Sequence, residues 1–465
     1  MGGRHPGEII RREGPCAKTY DLCRKLGRVL HDLHGVEVAT EIPGYIFVHS
    51  REGARERAGI WVSMLREEGL VDAAFEEKAK MNQELARKRI ACGNRGNTPH
   101  KFAFSNGSSE EYAAIVRGKT MGESTGHGSA ILTNWKEYLK ADPLNWLLEP
   151  DNPSVRYLAL TELLDRPKDD PDVVQARMDI MDSGVVRALL DGQEDGGYWG
   201  APERFYSDRY GGTAWRLMLL AEPGADGSDD QIRRAAEFLL THSQDPVEGG
   251  FSSRYDAPFE AGPHGTPCLT GNMVWSMLRL GYTSDPRIEK AVAWLLRYRR
   301  FDDGVPVPPK PAWVGRYKAD CWGNHTCMNG VIATLQALAE VPPTHGSKEI
   351  EQALAEGAEY LLLHRVYKRS HDLDKPIARH YTQLGFPLFY LNDMLRMLLF
   401  LTRIGCRDTR MQEAVDYLVR KQNREGRWKL QKVPKKPMPV EIEAKGQPSK
   451  WITLRALTVL KRFHE

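Results

Sequence analysis

The feature that most constrains this chain is a recurring unit from about Asn134 onward: an amphipathic helix, a glycine turn carrying an aromatic residue, then a nearly all-apolar helix. The first half recurs at Val185–Gly200, Ile232–Phe251, Ile288–Val305 and Met411–Trp428. A further copy at Glu351–His371 replaces the glycine turn with a basic, histidine-bearing loop. Apolar positions near i, i+3, i+4 and i+7 mark one buried stripe on each of these helices. The second helices, at residues 213–222, 271–282, 329–341, 390–405 and 449–463, are apolar on most faces, so they must be buried on most faces. The pattern therefore predicts an all-α fold with an inner and an outer layer. The final helix is as apolar as the middle ones, whereas an open stack needs polar end caps, so a closed α/α toroid is expected over residues 131–465.

Residues 1–130 lack this rhythm. Helical patterns at Tyr20–His34 and Arg55–Arg89, a strand at Tyr45–His49 and a Gly, Ser, Asn and Thr-rich tail at Gly93–Gly128 predict a small α+β or partly ordered segment with a linker. Cys16, Cys23, His31 and His34 match no standard zinc-finger spacing.

Charge narrows the partners. Lys+Arg 65 against Asp+Glu 62 leaves a net charge of +3, too little excess for a surface devoted to nucleic acid. Seven cysteines are too sparse for a disulfide scaffold. No run of about 18 apolar residues occurs, and the N-terminus has no apolar leader, so a cytoplasmic protein without a transmembrane segment is expected.

The strongest chemical constellation is Cys268, Cys321, His325 and Cys327, all at the starts of neighbouring inner helices. Parallel inner helices bring their N-termini to one cavity mouth, where two thiolates and an imidazole suit tetrahedral zinc. A helix N-terminus also favours thiolate over thiol. Cysteines at helix starts equally serve as packing residues. Trp199, Trp215, Trp275, Trp322, Phe389 and Tyr390 fall near inner-helix starts, to line an apolar pocket or to pack the core. Lys368 and Arg369, in the basic stretch His364–His371, could hold a diphosphate or form a solvated loop.

The strings QEDGGYWG (193–200), SQDPVEGGF (243–251) and QNREGRW (422–428) resemble the repeats of the prenyltransferase and squalene-oxidase-repeat superfamily. Residues 139–167, 202–206, 267–276, 321–330, 367–373 and 446–451 are similar to uncharacterised bacterial and archaeal cyclase-like proteins of that group. The resemblance implies an isoprenoid or other apolar small molecule in a central cavity, with zinc at its mouth and catalytic positions at Asp320, His371 and Asp372. Asp320 stands directly before Cys321, where prenyltransferase β-subunits separate the zinc-binding Asp and Cys by one residue. The Asp-x-Asp-Asp acid of squalene cyclases is missing; its nearest strings are Asp302-Asp303 and Asp372-Leu373-Asp374-Lys375. A lysine beside a carboxyl favours its ionised form, which disfavours protonation-initiated cyclisation. Two classes follow: a cyclase- or prenyltransferase-like enzyme, or a catalytically silent scaffold for a peptide or lipid.

Overall fold

The computed structural model describes residues 134–256, 265–304, 319–323 and 325–465, with the backbone of two short N-terminal strands. The chain divides into two compact units, Met1–Ala103 and Phe104–Glu465. In the first, β1 (Val38–Ala39) pairs antiparallel with β2 (Phe47–Val48), and β2 falls inside the strand expected at Tyr45–His49. The helices expected at Tyr20–His34 and Arg55–Arg89, and the residues Cys16, Cys23, His31 and His34, lie outside the described residues.

The second unit is helical, as the patterning predicts. Its inner segments are α2 (Pro153–Leu158) with the π-turn that prolongs it (Ala159–Leu163), α5 (Thr213–Ala221), α7 (Pro267–Arg279), α9 (Met328–Glu340), α11 (Met394–Arg403) and α13 (Lys450–His464). Around them lie α1 (Leu144–Leu147), α3 (Pro171–Asp182), α4 (Gly184–Leu190), α6 (Asp230–His242), α8 (Pro286–Tyr298), α10 (Lys348–Leu363) and α12 (Gln412–Arg420). Asp229, Asp285 and Ser347 cap α6, α8 and α10 by accepting from first-turn amides, each worth roughly 0.5–2 kcal/mol.

Burial follows the two patterns. On α8 only Ile288, Ala291, Trp294 and Leu295 are buried, a single stripe, whereas all of α5 except Arg216 is buried. Each Leu or Ile taken from water contributes about 1.5–3 kcal/mol. Inner helices α7 and α9 approach closely because Gly271 lies against the backbone of Ala333, where a Cβ would collide.

The repeated turns act as tethers. Gln193 donates to the Gln231 carbonyl (2.8 Å), and Gln244 donates to the Arg287 carbonyl (2.7 Å), each at the start of the next outer helix. Gln422, in the last turn, donates to the Tyr138 carbonyl (2.9 Å) and accepts from the Lys140 amide (3.0 Å). The tether that joins the first and second repeats to their successors thus also joins the last repeat to the segment before α1. Gly249 (φ +89°) abuts the Lys290 carbonyl and Gly426 (φ +70°) abuts the Ala141 carbonyl, so the same turn conformation seats both junctions. Inner helix α13 packs back on α2 and its π-turn.

The basic loop departs from the other turns: Lys368–Arg369 (β3) and Asp372–Pro376 (β4) form an antiparallel hairpin. No described helix is long and apolar enough to cross a membrane.

Candidate functional site

Five of the six inner segments, with Glu222 just after α5, line one cavity of about 150 Å³, far above the roughly 10–15 Å³ that holds one water. Part of its wall is apolar, from Leu158, Trp275, Leu388, Phe400, Trp451 and Leu454. The rest carries five guanidiniums, Arg279, Arg396, Arg403, Arg455 and Arg462, with the carboxylates of Glu162 and Glu222.

Most of these charges are paired. Arg455 meets Glu222 at 2.5 Å, Arg462 pairs with Glu162, and Glu340 serves both Arg279 (3.3 Å) and Arg403. Arg396 is different. Its Nε donates to Gln336 Oε1 (2.7 Å) and its Nη1 to the Leu391 carbonyl (3.0 Å), both neutral acceptors. Burial pushes the Arg396 guanidinium down to about 10, which leaves it charged at neutral pH. Among the residues that line the cavity, five guanidiniums face two carboxylates, while Glu340, Asp393 and Glu443 act on these arginines from outside the lining.

A second, smaller pocket of about 20 Å³ is lined by Cys268, Cys321 and Cys327 together with Trp322, Arg300 and Tyr298. It has room for about one water or ion and none for a substrate. The three cysteines therefore line one pocket, whereas His325 does not. Its Nδ1 is 2.5 Å from Asp303 Oδ1, and its side chain is 63% exposed. Among the described residues, no three Cys, His, Asp or Glu side chains converge as a bound ion requires. The expected quartet thus does not fit zinc as one set. A hydrogen bond to Cys321 and burial push the Cys327 thiol up, against the amides of Gly330 and Asn329 at the α9 N-terminus.

The other expected site residues are dispersed. The side chain of Asp320 lies outside the described residues. Of the six aromatics, Trp275 lines the central cavity and Trp322 the cysteine pocket. Trp199 donates its indole N–H to the Asp191 carbonyl (3.0 Å), as Trp428 does to Leu418 (2.8 Å), so both cap an outer helix. Trp215 packs against Phe389 (5.2 Å between rings) and Tyr390 (5.0 Å) in the core. Lys368 is 2.5 Å from Glu413, and Arg369 is exposed on the hairpin. The hydrogen bond from Lys375 holds the Asp372 carboxyl below the usual range, which makes it a poor proton donor. His371 is exposed beside it.

The cavity arginines escaped the sequence reading, yet a signal was there. Arg279, Arg396, Arg403 and Arg455 interrupt otherwise apolar helices, and a charge on a buried helix must face a partner or a cavity.

No family model and no curated protein matches the chain. Solved structures of the type II terpene cyclase MstE from Scytonema are similar at the level of fold search. The apo form gives a TM-score of 0.32 at 14% identity, covering 67% of this chain and 87% of that one. A variant in complex with geranylgeranyl dihydroxybenzoate gives 0.34 at 15% identity, covering 69% and 98%.

Proposed function

We propose that this protein folds as a closed α/α toroid and binds a small amphipathic molecule, an isoprenoid or similar apolar chain with an anionic head, in the cavity between its inner helices. The observation that carries this reading is the excess of guanidiniums over carboxylates in a cavity whose remaining wall is Leu, Phe and Trp. Arg396, whose guanidinium hydrogen-bonds to neutral acceptors while Glu222 and Asp393 act on it only through space, is the group best placed to gain from an incoming anion. Apolar residues across the cavity then bury the chain, at about 0.8 kcal/mol per CH₂.

Protonation-initiated cyclisation is the less favoured chemistry here. It needs a neutral carboxylic acid facing the substrate, whereas Glu162 and Glu222 are bound to Arg462 and Arg455. A binding or transfer role fits these pairs better.

Calorimetric titration with geranylgeranyl diphosphate and with geranylgeraniol tests the reading. The diphosphate is expected to bind at least about tenfold more tightly, which corresponds to about 1.4 kcal/mol. R396Q should remove most of that preference. Equal affinity for the two, or no binding of either, overturns the proposal.

A further inference from the structure

The turn of the third repeat lacks the glutamine tether and presents Asp303 to the next repeat instead. Asp303 Oδ1 is held by His325 Nδ1 at 2.5 Å, and Oδ2 accepts from the Ser370 hydroxyl. His364, at the end of α10, faces the same Oδ2 through its Nε2 at 3.8 Å.

That gap is too long for a hydrogen bond. Moreover, His364 Nδ1 donates to the Lys368 carbonyl at 2.8 Å, so a neutral ring turns the Nε2 lone pair toward the carboxylate. The ring is 6% exposed, and Nε2 has no hydrogen-bond partner among the described residues. A buried imidazole lone pair and a partly buried carboxylate that face each other repel unless a cation lies between them. A first-row divalent ion bound at about 2.0–2.2 Å by imidazole nitrogen and carboxylate oxygen spans such a gap. The bond from the far ring nitrogen to a backbone carbonyl is the outer-shell arrangement that orients a metal-binding histidine.

We infer that Asp303 and His364 form the fixed half of a divalent transition-metal site, completed by the exposed His371 swinging in from the hairpin. His371 has its ring 6.4 Å from that of His325, at the same junction. Ser370 and His325 hold the carboxylate from its other sides. The donor set is imidazole and carboxylate, with no thiolate, and is separate from both the cysteine pocket and the arginine cavity.

Cobalt(II) titration of the full chain after chelator treatment tests this. One equivalent should bind with visible ligand-field absorption and without the near-ultraviolet charge-transfer band of a thiolate ligand, and zinc should displace it. D303N and H364Q should weaken binding by at least about tenfold, a loss typical of ligand or outer-shell removal. H371Q, at an exposed position, should do the same without disturbing the fold, while C321S and C327S should bind as the parent does. The inference is overturned if cobalt does not bind, if a charge-transfer band appears and is lost in the cysteine variants, or if D303N, or a circular-dichroism-normal H364Q, binds normally.

Discussion

Arg455 on the last inner helix reaches Glu222 at the end of the first repeat's inner helix, 2.5 Å away across the edge of the central cavity. Both side chains are mostly buried, at 17% and 18% exposure, so neither charge is fully solvated if the other is lost. R455A should therefore cost toward the lower side of the roughly 3–5 kcal/mol for breaking a buried pair. The double variant R455M/E222L, which removes both charges, should recover most of it. Denaturant midpoints check both; a double variant less stable than R455A would show that the pair itself, not the stranded Glu222, matters.

The closure of the helix ring has its own test. Gln422 is buried and holds the Tyr138 carbonyl and the Lys140 amide. Q422A strands these backbone groups at roughly 1–3 kcal/mol. It should also raise amide hydrogen exchange in residues 135–163, while Q244A should raise it only around α8. Unchanged exchange in residues 135–163 would mean that packing of α13 alone closes the ring.

The two-layer helical architecture was legible because burial imposes periodicity directly: α8 keeps one stripe, α5 is apolar nearly all round, and a linear pattern reports both. The site was less legible. Trp199 was marked by its place near an inner-helix start, yet its indole caps an outer helix, as that of Trp428 does, because an aromatic at a repeat turn serves core and pocket equally well. The three cysteines line one pocket, whereas His325 turns to Asp303, a choice set by side-chain rotation that spacing does not encode. Asp303 and His364 stand 61 residues apart in strings that the sequence marks for other reasons, and only the packing of adjacent repeats brings them together.

Acidification should loosen the seam between the first and last segments. His464 stacks on Tyr138 with ring centroids 3.9 Å apart, and burial lowers its proton affinity more than Asp416 raises it. The folded state therefore resists a proton that the unfolded chain accepts below about pH 6.5. The sign follows: this contribution is present above the unfolded value and is lost as pH falls below it. H464F should keep the stack and flatten that part of the stability profile. A parent whose denaturation midpoint is constant between about pH 7 and pH 5 would refute the assignment.

Cys327 offers a reactivity test of its environment. It occupies the N-cap of α9, a position that ordinarily stabilises a thiolate through the helix amides. Here the hydrogen bond to Cys321 and burial raise the thiol's pKa instead, so at neutral pH it stays protonated and unreactive. Iodoacetamide followed by peptide mass spectrometry should find Cys327 modified much more slowly than a solvent-exposed thiol. Replacing the partner in C321A removes the largest contribution to that shift and should speed alkylation at Cys327 by at least about tenfold, one pKa unit's worth of thiolate. If C321A leaves the rate unchanged, burial alone sets the thiol's behaviour; if Cys327 reacts rapidly in the parent, the helix amides prevail after all.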